Sequence, residues 1–220
     1  MSESLIMKIP IKKAMEKGLA AHKAGKLQDA EMFYRIILKS QKTHVNSNSI
    51  TAHYNLGTIL QELGRLDEAE MNYREVIKFV PNFVDAHGNL GVVLKKLGKF
   101  EEAEASYRQV IALKPNSAEA YSNLGNTLSE LGRLEEAETN YRQAIELEPK
   151  FAAAFYNLGK TLQETGKIDE AEATYRQAIA LKPDHAEAHY NLANTLQRMG
   201  RLEKAADSYK QVIILRPKYT

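Results

Sequence analysis

Five asparagines recur at a fixed interval in this 220-residue chain, and their side chains have the chemistry needed to hold a polypeptide backbone. They lie 34 residues apart, at Asn55, Asn89, Asn123, Asn157 and Asn191. A carboxamide carries N–H donors and a carbonyl acceptor, so it matches the C=O and N–H of a peptide group. The spacing therefore predicts a ladder of amides, which Asn126 and Asn194 extend as a partial second row.

Tyrosines precede three of these asparagines and are candidate anchors for the same ligand. They are Tyr54, Tyr156 and Tyr190, whereas Gly88 and Ser122 stand at their position in the intervening segments. The missing rings would leave a gap where a bulkier ligand group could sit. Ordinary surface is the alternative explanation for the tyrosines, and the sequence leaves both open.

Chemistry of other kinds finds little support. The chain has no cysteine, which excludes disulfides and thiol catalysis. His185 and His189 are one helical turn apart and could ligate a metal weakly, but no cysteine or carboxylate completes the site. A phosphate-binding glycine loop and a nucleophile elbow are also missing. We therefore predict a chain that is not an enzyme and has no catalytic residue, cofactor or metal.

The charges are nearly balanced, with 30 Lys and Arg against 28 Asp and Glu and a net charge of +2. Residues 1–49 carry a net +5 (9 minus 4) and residues 50–220 a net −3 (21 minus 24), an offset too small and dispersed for a nucleic-acid footprint. No apolar run approaches the roughly 18 residues of a membrane helix, and the first residues lack a secretory signal. We expect a cytoplasmic protein with neither nucleic acid nor membrane as partner.

Glycine and proline repeat at the same interval of 34 residues, for example Gly98 to Gly132 and Pro115 to Pro149. A repeat of this length predicts stacked helical units that bury one another's apolar faces. Gly25 aligns a degenerate first unit, and five extra residues predict a polar loop insertion at 45–49. We expect an N-terminal extension 1–10 and a single solenoid 11–220 made of units 11–44, 50–83, 84–117, 118–151, 152–185 and 186–219.

Each unit is predicted to hold two helices. In unit 118–151 two apolar stripes follow helical spacing, Gly132 ends the first helix and Pro149 ends the second. Capping boxes predict where the next first helices begin. Their pairs are Asn82 with Asp85, Asn116 with Glu119, and Asp184 with Glu187.

The repeated pattern resembles the tetratricopeptide repeat from residue 50 to 219. In one unit it runs Tyr121-x2-Leu124-Gly125-x2-Leu128, then Ala137, Tyr141, Ala144 and Pro149. The resemblance implies an all-α fold, a right-handed α-solenoid superhelix of stacked antiparallel helix pairs whose first helices line a concave groove. It also implies that Gly125 and its equivalents pack against Ala137 and its equivalents, and that Tyr141 and its equivalents pack between units.

In such a fold the asparagine side of each first helix faces the groove. The arrangement is similar to the asparagine ladder in the repeat domains of O-linked N-acetylglucosamine transferases, although asparagine is also common at this position in other tetratricopeptide repeats. The first unit, around Gly18 to Leu27, resembles the opening repeat of bacterial proteins that carry a glycosyltransferase or sulfotransferase domain.

Two further features are structural in character. Glutamate precedes arginine by four residues in several second helices, as in Glu70–Arg74 and Glu138–Arg142, which is the favourable order for helix ion pairs. The last helix carries an apolar edge, which predicts a missing cap, a partner or end-to-end self-association. The residues of this edge are Tyr209, Val212, Ile213 and Ile214.

The sequence thus favours a scaffold that binds a protein or an extended peptide in its groove. One alternative is a segment that presents substrate to the transferase domain of a larger enzyme. Another is a self-assembling scaffold, a homo-oligomer joined through the C-terminal edge.

Overall fold

The computed structural model describes residues 9–40 and 46–216, and within these ranges the chain is built from α-helices without a strand. This confirms the all-α prediction, since each predicted unit holds one pair of helices. The described residues leave out 1–8, 41–45 and 217–220. These ranges include most of the predicted extension, the start of the predicted loop with Val45, and the end of the last predicted unit with Pro217. The helices are α1 Ile11–Lys23, α2 Leu27–Ser40, α3 Ser47–Glu62, α4 Leu66–Phe79, α5 Val84–Lys96, α6 Phe100–Leu113, α7 Ala118–Glu130, α8 Leu134–Leu147, α9 Ala152–Glu164, α10 Ile168–Leu181, α11 Ala186–Arg198 and α12 Leu202–Leu215.

The helices group into two compact units, Met1–Leu113 and Lys114–Thr220. The first holds the pairs α1–α2, α3–α4 and α5–α6, and the second holds α7–α8, α9–α10 and α11–α12. Inside each unit the helices of a pair pack on each other, and each second helix packs on the first helix of the next pair. Such stacking buries the apolar stripe of each helix against its neighbours. A single solenoid over 11–220 stays a prediction.

Short turns join the two helices of each pair. Gly132 takes φ 73° in the turn between α7 and α8, a left-handed conformation that glycine adopts without steric cost. The predicted end of the first helix is confirmed, because α7 stops at Glu130 with Leu131 as its C-cap. The other turn glycines at this spacing share the positive φ.

The predicted capping boxes are wrong. The N-caps before α5, α7 and α11 are Phe83, Ser117 and His185, one residue after the predicted Asn82, Asn116 and Asp184. Of the three, only Ser117 accepts a hydrogen bond with its side chain, from the backbone N–H of Ala120.

A true capping box lies where a loop insertion was expected. The Asn46 side chain accepts hydrogen bonds from the backbone N–H groups of Asn48 and Ser49, and the Asn46 N–H donates to the Ser49 hydroxyl at 2.8 Å. Because these bonds satisfy otherwise free N–H groups, α3 starts early, at Ser47. The predicted loop at 45–49 is therefore wrong over 47–49, which form the first turn of a longer helix.

The close contact inside each pair is also different from the prediction. A Cβ added at Gly125 would lie 2.7 Å from the Tyr141 ring, and one at Gly159 would lie 2.6 Å from the Tyr175 ring. The glycines therefore make room for a tyrosine of the second helix rather than for an alanine. The tyrosine ring packs directly on the backbone of the first helix, and at these distances a residue with a Cβ would clash with the ring. In the last pair Ala193 replaces glycine, and Tyr209 is half-buried where the other tyrosines are buried.

Candidate functional site

The candidate site is the polar side of the first helices, and in each unit it is centred on what we call the amide row. The row consists of Asn55 and Asn89 in the first unit and Asn123, Asn157 and Asn191 in the second. All five side chains are half-buried, in the middle of α3, α5, α7, α9 and α11. They therefore border solvent while being held by a rigid helix.

Two amides of the row are tied to the tyrosine of the preceding pair. Asn89 Nδ2 donates to the Tyr54 hydroxyl at 3.2 Å, and Asn191 Nδ2 donates to the Tyr156 hydroxyl at 3.3 Å. These bonds cross from one helix pair to the next inside a unit. Both the amide and the ring are thereby held in one orientation.

The predicted second row makes intramolecular bonds of its own. Asn126 Oδ1 accepts from the Tyr141 hydroxyl at 2.8 Å and from Asn157 Nδ2 at 2.8 Å. Asn194 Oδ1 accepts from the Tyr209 hydroxyl at 2.6 Å. Asn126 and Asn194 thus anchor tyrosines that pack under the row, and their carbonyl oxygens are engaged within the protein.

The hydroxyls that support the row stay protonated at neutral pH. Burial raises the pKa of Tyr54 and of Tyr156, whose hydroxyls accept from the row. Burial also raises the pKa of Tyr141, whose hydroxyl donates to Asn126. A neutral phenol can donate to Asn126, whereas a phenolate could not. The network is therefore constant across the physiological pH range.

Each tied amide keeps part of its hydrogen-bonding capacity. A carboxamide has two N–H donors and one oxygen, and the bonds of Asn89, Asn157 and Asn191 use one N–H each. The N–H groups of Asn89 and of Asn191 also interact with the buried hydroxyls of Tyr73 and Tyr175. The amide oxygen is therefore the atom of each side chain that can accept from a peptide N–H.

The tyrosines differ in how exposed they are. Tyr54 is half-buried beside Phe83, with ring centroids 5.1 Å apart, and Tyr156 is half-buried on His185 at 4.6 Å. Tyr190 is 49% exposed and touches only the Tyr209 ring, at 6.1 Å, among the ring contacts of the described residues. Packing between repeats therefore accounts for much of Tyr54 and Tyr156, while Tyr190 presents a ring to solvent.

The gap expected at Ser122 is not open to solvent. Ser122 is 4% exposed, so a ligand group cannot reach it without displacing its neighbours. Gly88 is half-buried, and a Cβ added to it would meet only the Val110 side chain, at 4.0 Å.

Ion pairs bind one repeat to the next on the second helices. The predicted pairs within a helix are present, with Arg74 Nε 2.9 Å from Glu70 and Arg142 Nη2 2.9 Å from Glu138. Each glutamate also accepts from a lysine in the turn between the two helices of the next pair. Glu70 accepts from Lys99 at 2.7 Å, and Glu138 accepts from Lys167 at 2.8 Å. Sequence reasoning missed this second contact.

The signal for the missed contact is present in the sequence. A lysine or arginine directly follows each turn glycine, and it stands 29 residues after the glutamate. Burial opposes ionisation of Glu70 and of Glu138, but hydrogen bonds from the lysine and the arginine outweigh it and lower the pKa of both carboxyls. Both glutamates are therefore charged ties between repeats.

The apolar edge of α12 is smaller than expected. Val212 is buried, with 8% of its surface exposed, and Tyr209 is half-buried with its hydroxyl bonded to Asn194. The inclusion of Val212 in the exposed edge is therefore wrong. Ile213 and Ile214 are 52% and 66% exposed and form the apolar surface that remains.

The two histidines considered as ligands have other partners. His189 Nε2 lies 3.0 Å from the Pro183 carbonyl oxygen, and His185 Nδ1 lies 3.2 Å from a Glu187 carboxylate oxygen. Within 9–40 and 46–216 no group of three or more ligating side chains forms a metal cluster. The same described residues contain no helix with the length and apolar character needed to cross a membrane.

The repeated pairs, the turn glycines and the packed tyrosines define a tetratricopeptide-repeat protein. Residues 10–214 match the family described as the cilia and flagella-associated protein 70 C-terminal domain, a tetratricopeptide-repeat family. The chain belongs to that family. No curated protein matches the chain.

Solved structures share this fold. The MamA protein is 26% identical with a TM-score of 0.71, over 79% of this chain and 94% of that chain. A tetratricopeptide repeat protein from Parabacteroides merdae is 22% identical with a TM-score of 0.81, over 93% and 79%. YrrB, described as a TPR protein with an unusual peptide-binding site, is 20% identical with a TM-score of 0.67, over 84% and 93%. At these identities the last two indicate the fold alone.

Proposed function

We propose that this protein is a non-catalytic scaffold that binds an extended peptide along the amide row of its first helices. The observation that carries the proposal is the fixed orientation of the row, in which Asn89 and Asn191 are each held by a tyrosine hydroxyl of the preceding pair. An oriented amide loses little conformational entropy when it meets a peptide group. The description of YrrB, which shares the fold, is in line with this use.

The amide row by itself gives modest affinity. Each amide contact contributes about 0.5–1.5 kcal/mol net, and association costs offset much of their sum. Side-chain anchors or a tether must supply the rest. Tyr190, which is 49% exposed, is the anchor best placed for a ligand of the second unit.

Removing two amides of the second unit tests the proposal. A phage-displayed peptide library is selected on the full chain, and the dissociation constant of one selected peptide is measured by fluorescence polarisation. We expect Asn123→Ala with Asn157→Ala to weaken binding roughly ten-fold, since two contacts of about 0.5–1.5 kcal/mol are lost. Loss of the Asn157 bond to Asn126 lowers the free energy of unfolding by no more than a similar amount.

The matched control is Asn140→Ala on α8. Asn140 is also half-buried and donates to the Glu136 carbonyl at 2.8 Å, but it belongs to a second helix. Equal affinity of this variant and the wild type isolates the first-helix amides. Unchanged affinity of the double variant would overturn the proposal, and so would full binding by a peptide whose backbone nitrogens are methylated.

A further inference from the structure

A groove of about 360 Å³ lies between the second helices α10 and α12. Arg176 and Ile179 line it from α10, Ser208 lines it from α12, and His189 and Leu192 of α11 form its floor. The volume lies in the range of ligand pockets, roughly 300–1,000 Å³. It is separate from the amide row, because His189 and Asn191 point about 200° apart around α11.

An ion pair closes the corresponding position one repeat earlier. Arg142 of α8 donates to the Glu170 carboxylate of α10 at 2.7 Å. The first unit repeats the arrangement, with Arg74 bound to Glu102. In these places the arginine of one second helix finds a glutamate on the next.

At the position equivalent to that glutamate, the repeat beside the groove carries a lysine. Lys204 stands 34 residues after Glu170 and 28 after Arg176, the separation found between Arg142 and Glu170. Arg176 donates to Glu172 in its own helix, from Nε at 3.1 Å and Nη2 at 2.9 Å. In the described part of the chain no carboxylate of α12 bridges to Arg176. Arg176 lines the groove, and Lys204 occupies the sequence position that the bridging glutamate has one repeat earlier.

Two more substitutions favour an open groove. Ala180 stands where α8 carries Glu146, and His189 stands where α9 carries Phe155. Each replacement removes side-chain volume, and the first also removes a negative charge. The acidic lining residue Asp207 is paired with Lys210 at 3.0 Å, so it is compensated by a charge of its own helix.

We propose that this groove binds a carboxylate side chain of a partner polypeptide, with the carboxylate between Arg176 and Lys204. An aliphatic neighbour of that side chain would pack on Ile179, Ala180 and Leu192. A carboxylate is the fitting anion because the equivalent arginines, Arg142 and Arg74, each bind a glutamate. The proposal does not depend on peptide binding along the amide row.

The test is a nuclear magnetic resonance titration of the ¹⁵N-labelled full chain. The probes are the blocked tripeptide acetyl-Leu-Glu-Leu-amide, its Gln isostere and inorganic phosphate. We expect the Glu peptide to shift the backbone signals of Ser208 and Gln211 and the side-chain Nε signal of Arg176. It should bind roughly ten-fold more tightly than the Gln peptide, because charge-assisted hydrogen bonds are the stronger kind.

The decisive variant is Lys204→Glu, which places a carboxylate at the position that Glu170 and Glu102 have in their repeats. We expect it to abolish the Glu-peptide shifts while keeping the melting temperature at or above that of the wild type. Lys150→Glu changes the same charge at an exposed turn outside the groove and should leave binding unchanged.

Several outcomes would overturn the proposal. Equal binding of the Glu and Gln peptides removes the role of the charge. Full binding by Lys204→Glu, or shifts that map away from α10 and α12, removes the site. Tighter binding of inorganic phosphate than of the Glu peptide assigns the groove to phosphate instead of a carboxylate side chain.

Discussion

At the scale of single residues, glycines do two different jobs in this protein. The turn glycines supply a positive φ, as Gly132 does at 73°. The helix glycines supply space, since a Cβ at Gly159 would lie 2.6 Å from the Tyr175 ring. Gly88 does neither, because its nearest neighbour would be the Val110 side chain at 4.0 Å.

Paired substitutions separate these roles. We expect Gly159→Ala to lower the free energy of unfolding by about 1–3 kcal/mol, because the buried ring must move. Gly88→Ala should raise it by about 0.5–1 kcal/mol, because alanine costs less entropy than glycine inside a helix. Urea unfolding of both variants gives the two signs, and equal effects would show that the ring contact is not what selects glycine.

At the scale of helices, a charged side chain ties the second helix α8 to the turn of the next pair. Glu138 accepts from Arg142 of its own helix at 2.9 Å and from Lys167, in the turn between α9 and α10, at 2.8 Å. The Glu138 side chain is only 12% exposed, while its two partners are nearly half exposed. Solvent therefore screens the pair, and its contribution is far below that of a buried ion pair.

A pH series measures this tie. Since the folded pKa of Glu138 is lowered, its contribution is present above the unfolded-state value of 4.5 and is lost as the pH falls through the folded-state value. We expect Glu138→Gln to cost about 1 kcal/mol of unfolding free energy at pH 7, and the difference from wild type to shrink below pH 4.5.

Glu146→Gln is the control, an exposed glutamate on the same helix. Its unfolding free energy should follow the wild type at every pH. If the two variants behave alike across the series, the inter-repeat contact makes no specific contribution.

At the scale of the whole molecule, the exposed apolar residues of the last helix are the feature that bears on assembly. Ile213 and Ile214 are 52% and 66% exposed next to each other, and adjoining exposed apolar side chains mark interaction surfaces. Self-association through this edge stays a prediction, and so does a role as the substrate-presenting segment of a larger transferase.

Light scattering at two protein concentrations tests self-association. We expect a mass that rises with concentration in the wild type and a constant monomer mass in Ile213→Ser with Ile214→Lys. Met71→Ser removes an apolar side chain that is 67% exposed in the first unit, and it should behave as the wild type. A concentration-independent monomer mass of the wild type excludes this mode of assembly.

Repeat spacing made most of the secondary structure predictable. The turn glycines place every described helix pair, and the 34-residue interval places the five pairs from α3 to α12. Each repeat meets the same neighbours and therefore needs the same residues at the same positions. Helix starts were less predictable. The Asn46 capping box was mistaken for a loop, since a polar cluster has the composition of both.

The sequence by itself determined the all-α repeat, the tetratricopeptide family and the candidate asparagines, because these depend on residue types at fixed spacing. Only the tertiary structure decided which side chain fills the space over each glycine, which amides are held by tyrosine hydroxyls, and which arginine is bound to a glutamate of the next second helix. Those outcomes depend on distances between residues that are from 16 positions apart, as Gly125 and Tyr141 are, to 35 positions apart, as Tyr54 and Asn89 are. A periodic sequence specifies such contacts only where every repeat is alike. Where repeats differ, the contacts are known only once neighbouring helix pairs are seen packed together.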